Sequence, residues 1–231
     1  MPGIYLPEHP YGHPKNSDYA YDKWVQEQLD NQMKPAEISF NEERHEYRID
    51  GYLVPSVTAI IKPLITVGGM PDVREYKRQI GKALDTAITL WERQDLDIDT
   101  VDPAVLPFFE AWIKFKQETG FRVLLNQPIV YSKKLRFAGT ADLIGTRRTD
   151  SEVPEELIDT KCVWTMDPAT AIQTAGYTIG ALESLGLKIK KRTGLQLLRD
   201  GTYRAFPYTE QNDENIFRSL LNIYSWKGMH K

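Results

Sequence analysis

Residues 139–146 read Gly-Thr-Ala-Asp-Leu-Ile-Gly-Thr, and residues 156–164 read Glu-Leu-Ile-Asp-Thr-Lys-Cys-Val-Trp. Both are short apolar runs, joined by a polar loop, and they read as the ends of two consecutive strands, 135–146 and 156–164. Side chains alternate along a strand, so Asp159 and Lys161 share one face while Ile158 and Thr160 take the other. Antiparallel pairing across the 146–156 loop brings Asp142 within a few ångströms of Asp159. Two carboxylates so placed repel unless a cation lies between them.

Hard oxygen ligands of this kind suit Mg²⁺ or Mn²⁺, which keep several waters and share their remaining positions with a phosphate. Such an ion polarises a phosphodiester and lowers the pKa of an attacking water. Lys161 is then placed to orient or help deprotonate that water and to offset charge on the phosphoryl oxygens. The backbone carbonyl of Cys162 is a candidate to complete the metal's shell. An Asp-Thr-Lys tripeptide alone is also an ordinary charged pair on an exposed strand, and its context gives it weight. Gly139, Thr140 and Ala141 are small, as expected where a ligand or another backbone comes close. Downstream, Gln173 and Tyr177 stand four apart on a helix, on one face, able to hold a scissile phosphate or the DNA backbone.

The series GTADLIG, LIDTK and QTAGY resembles the central signature of RecB-like PD-(D/E)XK nucleases. That group includes phage recombination exonucleases and the mitochondrial genome maintenance exonuclease. The resemblance covers most of residues 38–231, and its specific part is 139–177. It implies an α/β restriction-endonuclease-like core with a central mixed β-sheet flanked by helices. It also implies a metal centre built on Asp142 and Asp159, a catalytic Lys161, and a Gln173–Tyr177 helix pair. Val54-Pro55-Ser56-Val57-Thr58 also looks like the entry of phage members. In the family's first helix a histidine often follows a glycine by four residues, whereas this chain has Gly81 and then Asp85. Asp85 is therefore either a further oxygen ligand or a surface residue. Where many members carry a glutamate, this chain has Gln127, a poor metal ligand that orients water or DNA or serves structure. The cluster cysteines of the CRISPR adaptation branch are absent.

Outward from this block, residues 122–131 read as a further strand. The stretch 38–61 reads as a β-hairpin turned at Asp50-Gly51, followed by a helix from about Ser56. A helix over about 72–94 lines up Ile80, Leu84, Ile88 and Trp91. Another opens at Asp102-Pro103 and stops at Gly120. Asp167-Pro168 caps a helix to about Leu185 and Gly186 closes it. A second Asp-Gly hairpin and an amphipathic helix carrying Ile216, Phe217, Leu220, Leu221 and Tyr224 end the chain. Residues 1–36 read as an irregular arm with a short helix over Tyr19–Met33, and 37–231 as the nuclease domain.

At 231 residues the chain is long enough for one α/β domain with a full core. Its single cysteine, Cys162, excludes an internal disulfide and an iron–sulfur cluster held by this chain alone. No apolar run reaches the length of a membrane span and the N-terminus lacks a secretory pattern, so a cytoplasmic location is expected, that of a bacterial host if the gene is a phage's. A net charge of −3 argues against coating nucleic acid through overall charge and leaves local basic runs. Lys133, Lys134 and Arg136 form one, and Lys188, Lys190, Lys191 and Arg192 the other. Each is either a DNA contact or a solvated face. The function expected is a metal-dependent DNA exonuclease acting at linear ends in phage recombination or replication, with a single-strand annealing or replication protein as possible partner. The alternatives are a structure-specific endonuclease on the same fold and a DNA-binding module without catalysis.

Overall fold

The computed structural model describes residues 38–65, 71–150 and 152–229. The N-terminal arm and its helix lie outside these residues. Strands β1 (Ile38–Asn41), β2 (Glu46–Ile49) and β3 (Tyr52–Val54) form an antiparallel meander, one strand more than the expected hairpin, with Asp50 and Gly51 turning the chain at positive φ. The Ser56 hydroxyl accepts the Ala59 N–H at 3.0 Å and so caps α1 (Val57–Ile61), which starts where the sequence indicates. Helix α2 (Pro71–Glu92) follows. Asp102 does form the expected turn, its carboxylate accepting the Ala104 N–H at 2.7 Å, but α3 (Leu106–Thr119) begins only after that turn. Gly120 ends α3 in the left-handed region, where glycine carries no Cβ penalty.

The two long strands expected at 122–131 and 135–146 are each broken. The first becomes β4 (Arg122–Asn126) and β5 (Ile129–Ser132), the second β6 (Phe137–Thr140) and β7 (Leu143–Thr146). Gln127 lies between the first pair at φ 50°, and Pro128, which has no N–H to give, follows it. The Gln127 N–H reaches the Asp142 carbonyl at 2.8 Å and the Ala141 N–H reaches the Pro128 carbonyl at 3.0 Å, so both breaks fall at the same level. Beyond them the strands part. β4 and β7 enter the central sheet, while β5 and β6 form a separate hairpin packed beside the meander.

The central sheet has the order β10-β9-β8-β7-β4, where β8 is Glu156–Lys161, β9 Lys191–Leu197 and β10 Tyr203–Tyr208. Only β8 and β9 are parallel, and the connection between them contains α4 (Ala169–Leu185), as a parallel pair requires. A last helix, α5 (Asp213–Met229), closes the chain. The arrangement is the expected mixed sheet flanked by helices. Period-two alternation sorts the two layers: Ile144 and Leu157 join a core with α1, α4 and α5 through Ile60, Tyr177 and Phe217. Leu143 and Ile158 join the other, with Leu84 and Ile88 of α2 and Trp112 and Phe115 of α3. Of the expected face of α5, Phe217 and Leu221 are buried, whereas Ile216 and Tyr224 are exposed.

Candidate active site

The β7–β8 ladder runs from Gly145 opposite Glu156 to Leu143 opposite Ile158 and stops there. Continued by one step, the register sets Asp142 opposite Asp159. Where the next ladder bond would fall, the Asp142 carboxylate supplies the acceptor: its Oδ2 receives the Thr160 N–H at 2.8 Å and the Thr160 hydroxyl at 3.1 Å. Thr160 thus fixes Asp142. Strand alternation places Thr160 on the opposite face from Asp159 but does not reveal this role, which depends on where the β7–β8 ladder ends.

Asp159 and Lys161 share a face and form an ion pair. Asp159 is fully buried, and among the described residues no donor other than that ammonium reaches its two oxygens. Burial holds its carboxyl above the usual range, with the charge of Asp142 adding to the effect and Lys161 opposing it. For Lys161, burial works to lower the pKa, but the adjacent Asp159 and Asp142 carboxylates outweigh it and keep the side chain firmly an ammonium. Gln173 and Tyr177 are together as expected, the Gln173 amide donating to the Tyr177 hydroxyl at 3.1 Å. Burial and the charges of Asp159 and Asp142 both raise the Tyr177 phenol, which places this pair in the field of the two acids. Tyr177 reaches this position because residue 139 is glycine: a Cβ there would lie 2.8 Å from the tyrosine ring.

Asp85, on α2, lines a small cleft with Asn126, Gln127, Asp142 and Thr160. Its carboxyl is pushed up to about 8, first by burial and then by Asp142, with Lys161 pulling it down. Gln127 itself is exposed. Cys162 lies on the other side of β8 from Lys161, and burial, then Asp85, pushes its thiol up to about 12, so it stays a neutral thiol. Among the described residues no group of three or more His, Cys, Asp and Glu side chains is gathered closely enough to hold a metal by itself. A buried carboxylate with open acceptor capacity beside a second carboxylate does fit an ion that takes few protein oxygens and keeps its waters.

The basic runs stand apart from this centre. Lys191 pairs with Glu156 and Lys161 with Gln196, so the 188–192 run enters β9 five residues below Lys161, roughly 16 Å along the strand. Within the run, Lys190 pairs with Glu155 at 2.8 Å. Arg192 is engaged by Asp213 at 2.8 Å and by the carbonyls of Ala171 and Glu210. Lys188 and Lys191 are exposed. Lys133, Lys134 and Arg136 occupy the β5–β6 turn, where the Lys134 N–H is held by Glu183 and the Arg136 guanidinium lies 5.4 Å from the Tyr52 ring.

No family model matches this chain, and no curated protein matches it. Solved structures of similar outline include an alkaline exonuclease (LHK-Exo) from Laribacter hongkongensis, 11% identical, with a TM-score of 0.42 over 74% of this chain and 86% of that one. LHK-Exo in complex with dAMP is 10% identical, with a TM-score of 0.43 over 75% of this chain and 87% of that one. SSO0001 is 11% identical, with a TM-score of 0.34 over 90% of this chain and 85% of that one. These likenesses concern outline alone. Among the described residues no helix is long and apolar enough to cross a membrane.

Proposed function

We propose that this chain is a divalent-metal-dependent deoxyribonuclease of the PD-(D/E)XK type that hydrolyses phosphodiester bonds at linear DNA ends. The observation that carries the reading is the buried Asp159 paired with Lys161 at the open end of a ladder where Thr160 holds Asp142. A hard cation, Mg²⁺ or Mn²⁺, held by Asp142 and Asp159 with the Cys162 carbonyl and Asp85 as further oxygens, would supply Lewis acidity toward the phosphate and acidify its water. Lys161, kept charged by its neighbours, donates to a phosphoryl oxygen and offsets negative charge gathered in the transition state. The Gln173 amide orients the Tyr177 hydroxyl, and that pair positions the DNA backbone. Lys188 and Lys191, both exposed, are the proposed contacts to more distant phosphates. The resemblance of GTADLIG, LIDTK and QTAGY to RecB-like and phage exonucleases supports the choice of exonuclease.

The test is digestion of end-labelled linear duplex and single-stranded DNA, with closed-circular DNA as control, in Mg²⁺. Loss of linear DNA with the circle intact is the expected result. A cut circle would instead make the chain an endonuclease.

Asp85 carries a separate consequence. Its carboxyl, ordinarily at 3.8, stands at about 8 in the folded chain, so the native state keeps a proton that the unfolded chain has lost. That contribution is complete below the unfolded value and is lost as pH rises through about 8. The metal-free protein is therefore expected to lose more thermal stability between about pH 6 and about pH 9 than Asp85→Asn does. Added Mg²⁺ should restore more at the higher pH. Parallel pH curves for the two proteins would remove Asp85 from the centre.

A further inference from the structure

Beyond Lys161 the chain runs through a loop, residues 162–168, before entering α4, and that loop holds an indole out in solvent. Trp164 is 88% exposed, whereas Trp112 is fully buried in the core. An isolated exposed aromatic is common and needs no explanation by itself. Here the backbone that carries it is clamped. Gln196 is 1% exposed and stands opposite Lys161 in the β8–β9 register. Its side-chain amide donates to the Val163 carbonyl at 2.9 Å and to the Trp164 carbonyl at 2.8 Å. At the loop's other end the Asp167 carboxylate accepts the Ala169 N–H at 2.8 Å and starts α4. A buried side chain is thus spent on fixing the segment whose indole remains outside. Trp164 is the third residue after Lys161, no more than about 10 Å of chain away.

From this geometry we infer that Trp164 is a stacking platform for an unpaired base of the DNA strand, next to the phosphate that Lys161 contacts. The inference rests on the nuclease reading and adds to it the form of the substrate. An indole offers its face to any base without reading sequence, and it can do so only when that base is not stacked in a duplex. The strand in the site is therefore single-stranded at the flanking nucleotide, either as supplied or as a frayed end.

The experiment uses the full chain with Trp164→Ala and Trp164→Phe, and a fluorescent single-stranded oligonucleotide bound in EDTA and followed by anisotropy. Trp164→Ala is expected to bind about tenfold more weakly, and Trp164→Phe to stay within about threefold of the parent. A single abasic position scanned along the oligonucleotide should, at one place, lower the parent's affinity to that of Trp164→Ala and leave Trp164→Ala unaffected. Mg²⁺-dependent cleavage by the parent is measured in parallel. Cleavage with equal affinity for all three proteins overturns the stacking role and leaves the nuclease reading standing. No cleavage, with binding that still depends on Trp164 and on the abasic position, removes the nuclease reading and upholds the stacking site.

Discussion

Asp159→Asn and Lys161→Ala are each expected to slow DNA hydrolysis by about 10³-fold or more, because Asp159 holds the ion and Lys161 offsets charge that develops in the transition state. The asparagine keeps the shape of the side chain and removes the charge. It therefore takes away a ligand and the partner of Lys161 together, and it relieves a carboxylate that burial already disfavours. DNA binding in EDTA and the unfolding midpoint should change little in Asp159→Asn, which separates a chemical role from a folding one. In Lys161→Ala the buried Asp159 loses its countercharge, so that variant should also unfold more readily in the absence of metal, and Mg²⁺ should recover part of the loss. Cleavage within about tenfold of the parent in Asp159→Asn would contradict the assignment.

The largest effect on stability is expected at Gly145. It lies in β7, opposite Val123 of β4 and Glu156 of β8, where the β4 register is irregular. A Cβ at this position would fall on the Arg122 carbonyl oxygen and 2.8 Å from the Phe121 ring. The obstacle is hydrogen-bonded backbone of the adjoining edge strand β4, which cannot step aside as a flexible side chain would. Gly145→Ala is expected to cost about 3 kcal/mol, or roughly 6–12 °C in midpoint for a domain of this size. Gly81→Ala gives the contrasting sign. Gly81 sits inside α2 with no atom of the described residues within 4 Å of an added Cβ, so alanine there should stabilise by about 0.5–1 kcal/mol. Thermal or urea unfolding of the two variants checks both, and a Gly145→Ala midpoint equal to that of the parent would contradict the close β4–β7 approach.

Much of the candidate site was legible because it depends on local periods. Asp159 and Lys161 share a face through strand alternation, and Gln173 meets Tyr177 through helical spacing; both placements hold in the structure. Caps were equally readable: Ser56 on α1, Asp167 on α4, and Gly120 and Gly186 at helix ends. What local patterns did not reveal was a change of partner. Apolar alternation continues through Gln127-Pro128 and through Ala141-Asp142, yet the chain leaves one sheet for another at both places. Pro128 inside an otherwise good strand was the available signal. The roles of Thr160 and Gln196 depend on contacts 18 and 32 residues away, and no short-range pattern encodes those. The basic run at 188–192 looked uniform in sequence, but acids brought in by the fold, Glu155 and Asp213, engage two of its members.

The proposed activity is hydrolysis of DNA at a carboxylate centre that depends on a divalent ion. It is tested most directly by incubating one preparation of the full chain with end-labelled linear DNA in EDTA, and then with Mg²⁺ or Mn²⁺ restored in excess. Intact DNA in EDTA and release of labelled nucleotides once the ion is returned are the expected results. Cleavage undiminished in EDTA, or no cleavage of single- or double-stranded DNA with either ion, would contradict that activity.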